Sequence, residues 1–172
     1  MQSSGWIKTF SLGLGIAILI SFLAVPAGAV NLHPGDKAPN FALTDIDGKR
    51  VTLEQYRGKT VVIAFWSTWC SRCEEEFVFL RDTLGKRNDV VVLLVNQDSE
   101  KAVPVARIRQ VKERLGIEFP ILIDEGLALW ENYGINALPT SVVVDGNGNV
   151  KLVEPNFYWA SPDNLLAAIG QS

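Results

Sequence analysis

The stretch "TVVIAFWSTWCSRC", Thr60 to Cys73, decides how the rest of the chain is read. Its first seven residues form a continuous β-branched and aromatic run, the pattern of a strand buried on both faces. The run leads straight into Cys70 and Cys73, the only two cysteines among 172 residues. From Ser71 to Lys86 the apolar residues Phe77, Leu80 and Leu84 recur at helical spacing, and Glu74, Glu75 and Glu76 fall in the first turn. The pair therefore sits at a strand-to-helix corner, with Cys70 at the helix N-terminus. Unpaired backbone N–H groups and the helix dipole stabilise an anion there. A thiolate is such an anion, and it is the attacking form of a cysteine. Cys73 lies one turn further in, closer to the core, and near enough to close a small ring with Cys70. Cys70 is predicted to attack a partner disulfide and Cys73 to resolve the mixed disulfide.

Other uses of two thiols fit less well. A bridge across two residues closes too short a loop to staple a fold, and a domain of roughly 140 residues buries its own core. A zinc site takes about four ligands, against two cysteines and one distant histidine, His33, which reads as a solvated linker residue. Covalent haem attachment wants a histidine after the second cysteine, where this chain has Glu74. No cofactor and no metal are expected. Apolar residues make up 48% and charged residues 20%, which reads as a globular chain. The net charge of −3 comes with no basic stripe, so no nucleic-acid partner is expected.

The N-terminus reads separately. Lys8 is the only formal charge before Asp36, and "FSLGLGIAILISFLAV" runs from Phe10 to Val25. Pro26 breaks it, and Ala27-Gly28-Ala29 offers the small residues of a signal-peptidase site. Residues 1–29 are read as a secretory signal cleaved after Ala29, or as an uncleaved membrane anchor. The charge-free span from Thr9 to Gly35 is long enough to cross about 30 Å of hydrocarbon. Either reading places the domain outside the cytoplasm, in the periplasm or on the outer face of the inner membrane.

Residues 30–40, "VNLHPGDKAPN", read as a linker before a domain over 41–172. "FALTD" and "KRVTL" form a hairpin around Asp47-Gly48. "VVVLLVN" is a second central strand. A helix is predicted from about Glu100 to Leu115, with Pro104 in its first turn and Gly116 ending it. "FPILID" reads as a short strand and "GLALWENYG" as a short helix. "SVVVDGNGNVKLVE" reads as a hairpin, and "SPDNLLAAIG" as a last helix capped by Ser161. The order implies an α/β fold, a mixed central β-sheet with helices on both faces.

At this point the chain resembles the TlpA/ResA-like branch of the thioredoxin family, from about Gly35 to Gly170. "PGDKAPNFALTDIDGKRVTLEQYRGKTVVIAFWSTWCSRCEEEF" is similar to the family's first half, with its N-terminal β-hairpin extension. "YGINALPTSVVVDGNGNV" is similar to the second half. The helix near 100–115 and the strand at Ile121 resemble the inserted helix–strand unit of this branch. The resemblance implies a thioredoxin fold and an extracytoplasmic thiol–disulfide oxidoreductase with redox-active Cys70 and Cys73. It implies that Pro139 is the cis-proline facing the pair, and that the backbone of Leu138 pairs with an extended substrate segment. Trp69 is implied as a contact surface, and Trp66 as core. Glu76, three residues after Cys73 and on its helix face, is implied to tune the cysteines and move protons. Plain thioredoxins place an aspartate where this chain has Ala64.

The implied substrates are disulfides of exported cysteine-containing proteins, apocytochrome c among them, and the implied electron donor is a membrane thiol carrier. One departure is Arg72, where the family often has proline. A cation there favours the Cys70 thiolate by about 1 kcal/mol at intermediate dielectric, and the three glutamates push the other way. Three further readings stay open: a disulfide oxidase of the same fold, a peroxiredoxin-like peroxidase, and a chaperone-like binding module. The peroxidase pattern has its hydroxyl in Ser67, but Ile63 holds the position where proline is needed.

Overall fold

The computed structural model describes residues 31–98 and 101–170. The expected leader or anchor over 1–29 lies outside the described residues. Strands β1 (Ala42–Asp45) and β2 (Arg50–Thr52) form the N-terminal hairpin, followed by a 3₁₀ turn at Leu53–Tyr56. Then come β3 (Thr60–Trp66), α1 (Ser71–Leu84), β4 (Val90–Asn96), α2 (Val105–Arg114) and β5 (Ile121–Ile123). The chain continues with α3 (Ala128–Asn132), β6 (Thr140–Val144), β7 (Val150–Pro155) and α4 (Ser161–Ile169).

The seven strands make one mixed sheet in the order β2-β1-β5-β4-β3-β6-β7. Strands β3, β4 and β5 run parallel; β6 and β1 join them antiparallel. The all-apolar runs of β3 and β4 are central because both of their faces are covered. One core lies between the sheet and α1, α2 and α4: Val62, Ala64 and Trp66 of β3 meet Cys73, Phe77, Leu80, Ile108, Val111 and Leu165. The other holds Val61, Ile63 and Phe65 with Leu129, Tyr133 and the N-terminal hairpin residue Val51. Trp66 is fully buried, edge-on to Phe77 with ring centroids 5.0 Å apart. Burying a side chain of this size contributes about 2–3 kcal/mol. The inserted unit has an architectural role: β5 pairs with β4 on one side and β1 on the other, which welds the hairpin into the sheet.

Three local readings change. Helix α2 begins at Val105, well after Glu100, and Pro104 is its N-cap in extended geometry (φ −67°, ψ 147°). Proline also holds the residue before it out of helical geometry, so the periodic pattern could not extend back through Val103. The predicted end holds: Gly116 adopts φ +62°, its N–H donates to Glu113, and Ile117 N–H donates to Lys112. Those two bonds are the Schellman arrangement that glycine permits. Ser161 is the first residue of α4, with Ala160 at the N-cap position. Its hydroxyl turns inward, donating to Glu154 at 2.9 Å and accepting the Tyr158 N–H at 3.0 Å. Finally, residues 35–38 lie along the start of β7: Gly35 N–H donates to Val150, Val150 N–H to Asp36, and Ala38 N–H to Gly148, at 2.8–3.0 Å.

Candidate active site

Cys70 is the N-cap of α1, and its Sγ accepts the Cys73 backbone N–H at 3.3 Å. The same N–H also donates to the Cys70 carbonyl at 3.2 Å, so the sulfur shares a donor of the helix's first turn. The two cysteines are joined as a disulfide. Cys70 retains 8% exposure and Cys73 none. The loop between β3 and α1 is held from below. Thr68 N–H donates to the buried Asp98 carboxylate at 2.8 Å, Asn96 Nδ2 donates to the same oxygen at 2.9 Å, and Gln97 N–H donates to the Trp66 carbonyl. Asp98 was not singled out in the sequence. Two residues beyond an apolar strand it looked like any loop carboxylate.

Strand β6 brings the remaining site residues in. Thr140 pairs with Phe65, so Pro139 lies one step beyond, level with the end of β3 where the cysteine loop begins. The Leu138–Pro139 bond is cis. Pro139 is buried, Leu138 half-buried, and Trp69 projects at 76% exposure beside Cys70.

Glu76 is the residue whose place matters most. Of the three consecutive glutamates, Glu75 is exposed, Glu74 is half-exposed and Glu76 is 1% exposed. Helical spacing puts Glu76 on the face of Cys73 and Leu80, against the sheet. The Ser141 hydroxyl donates to its Oε1 at 2.7 Å, and Oε2 has no partner. Burial pushes its carboxyl up, the Ser141 hydrogen bond opposes this, and the nearby Glu154 charge adds to it, leaving the group at about 7. Glu74 behaves oppositely. Arg114 of α2 clamps both of its oxygens at 2.6 and 3.0 Å and holds it below the usual carboxylate range. All three glutamates were expected to oppose a Cys70 thiolate. Near neutral pH one of them is paired and one is partly neutral.

Ser141 and Glu154 were also not singled out. A signal existed for Glu154: in "VKLVEP" Leu152 and Glu154 are two apart and share the face toward α1 and α4, so an acid stands where strand alternation puts an inward side chain. Ile63, by contrast, points into the opposite core from the cysteines.

The model of the AhpC/TSA family matches residues 34–153. The chain is similar to the thiol–disulfide oxidoreductase ResA of Bacillus anthracis, 34% identical over 116 residues, covering 67% of this chain and 66% of that protein. It is also similar to ResA of Geobacillus thermodenitrificans, 36% identical over 121 residues, covering 69% and 67%. The chain spans about two thirds of the length of these relatives. Among solved structures, a Chlorobium tepidum protein assigned as a thiol:disulfide interchange protein DsbE matches with a TM-score of 0.72 and 31% identity. That match covers 81% of this chain and 100% of the other.

Proposed function

Because this chain belongs to the AhpC/TSA family, among the ResA-like thiol–disulfide oxidoreductases, we propose that it reduces disulfides of exported proteins through Cys70 and Cys73. The observation that carries the reading is a cysteine sulfur seated at a helix N-terminus, with a buried carboxyl, raised to about 7, one turn beyond its partner. The Cys70 thiolate attacks one sulfur of the substrate disulfide; that S–S bond breaks and the other substrate sulfur leaves as a thiolate. Cys73 then gives up its proton and attacks the Cys70 sulfur, expelling the second substrate thiolate and closing the Cys70–Cys73 disulfide. Glu76 holds or takes the Cys73 proton. Trp69 and the Leu138 backbone offer the substrate contacts. Apocytochrome c fits as a substrate class and a membrane thiol carrier as the donor that restores the dithiol.

The direction of electron flow follows from the thiols. A strong oxidant needs a stabilised thiolate in its reduced form. Arg72 is exposed, so water screens it. The expected reduction potential lies in the lower half of the interval from about −270 to about −120 mV. Equilibration with glutathione or a reference dithiol measures it. A value above about −170 mV would overturn the reductase reading and promote the oxidase one. The peroxidase reading has little support, since Ile63, at the position that pattern gives to proline, faces away from the cysteines.

We place the domain over 41–172 outside the cytoplasm, with residues 1–29 as the segment that takes it there. N-terminal sequencing of the mature protein is expected to start at Val30. An intact Met1 in membranes favours the anchor, and an intact soluble cytoplasmic chain rejects both.

A further inference from the structure

The sheet places a second buried carboxyl behind the first. Ala64 of β3 pairs with Ser141 of β6, and Ser141 pairs with Glu154 of β7, so the three form one row on the face beneath α1 and α4. Directly opposed residues in antiparallel strands share a face. Glu154 is 6% exposed. Its Oε1 accepts the Ser161 hydroxyl at 2.9 Å and Asn164 Nδ2 at 3.1 Å, and its Oε2 accepts the same Nδ2 at 3.3 Å. Glu76 has one donor, Ser141, and an unpartnered Oε2. Among the described residues neither carboxyl has a basic partner.

We infer that Glu154 is a positioning residue for the thiol chemistry: its carboxylate, one strand beyond Ser141, holds the proton on Glu76. The inference rests on the reading that Glu76 serves the cysteine pair. Two buried carboxyls of like charge do not both ionise easily, and the proton settles on the one with fewer donors. An unpartnered buried oxygen costs less on a neutral acid than on a carboxylate. Glu154, with its donors from α4, is the acceptor of the two. The other elements packed around Glu76 bring little charge. Strand β3 presents Ala64 and Trp66, β6 presents Ser141 and Val143, and α4 presents Leu165. The remaining ionisable groups are Cys73 on α1 and, beyond Glu154, the Tyr158 phenol, which the Glu154 charge pushes up. Glu76 thereby still carries, in part of the population at neutral pH, the proton that Cys73 exchanges.

Carboxyl carbon NMR titration of the oxidised protein tests this, because no thiol titrates there. Glu154→Gln removes the charge and keeps a polar side chain of the same shape. It is expected to lower the Glu76 midpoint by about one pH unit. Ser141→Ala removes the bond that favours the charged form and is expected to raise it. Opposite shifts separate this arrangement from a general loosening of the core, which moves both the same way. An unmoved midpoint in Glu154→Gln, or shifts of one sign in both variants, overturns the inference. Should Glu154→Gln fail to fold, Asn164→Ala strips donors from Glu154 and is expected to lower the midpoint in the same direction; no change there overturns it equally. Reduction of insulin disulfides by the wild-type protein checks the underlying reading separately. Its absence sinks the proposed function while the titration result stands by itself.

Discussion

Replacing Cys70 with alanine is expected to reduce disulfide exchange to background, a loss of at least about 10³-fold on the scale of nucleophile deletions. Replacing Cys73 is expected to do something different: it leaves attack intact and stalls the reaction at the mixed disulfide. The asymmetry comes from placement. The Cys70 sulfur caps α1, accepts a helix N–H and keeps a little exposure, whereas Cys73 is wholly enclosed. A substrate disulfide can reach only the first. Cys73→Ala should therefore carry a partner covalently, visible as a mass increase on non-reducing gels that dithiothreitol removes. If Cys70→Ala traps partners and Cys73→Ala does not, the roles are reversed.

The second large effect is on stability. Glu76 has an ordinary carboxyl value near 4.5 when unfolded and about 7 when folded. Between those two values the folded chain holds a proton that the unfolded chain has lost, so stability falls as pH rises. Below about 4.5 both states are protonated and nothing is lost; above about 7 the full cost of burying the charge applies. A gap of this size corresponds to about 3 kcal/mol. Glu76→Gln abolishes that dependence. The variant is expected to resemble wild type at pH 4.5 and to exceed it by up to about 3 kcal/mol at pH 8, measured by denaturant unfolding of the oxidised proteins. Asp47, Glu74, Asp82, Asp89 and Asp145 are all shifted downward, so their contributions fall at lower pH. Parallel curves for the two proteins would show that Glu76 is not the titrating group.

Local pattern settled much of the molecule. The buried strand, the corner and the helix start follow from "TVVIAFWSTWCSRC" because side-chain periodicity and the needs of a helix N-terminus act within a few residues. The two hairpins and the glycine end of α2 follow in the same way from turn chemistry. Periodicity also put Glu76 on the face of Cys73, although a run of three glutamates carries no mark of which one is enclosed. Pattern failed where local signals competed. Pro104 cut α2 short, and Ser161 turned its hydroxyl inward to a carboxylate seven residues away in place of capping the helix. What only the tertiary structure decided was electrostatic. Glu74 meets Arg114 across 40 residues and Glu76 meets Ser141 across 65, while the sheet register alone brings Glu154 behind them. One glutamate is clamped as a charge and its neighbour two places on is pushed up to about 7. The residue type is the same, and the difference lies in burial and in partners that strand pairing and helix packing deliver from distant parts of the chain.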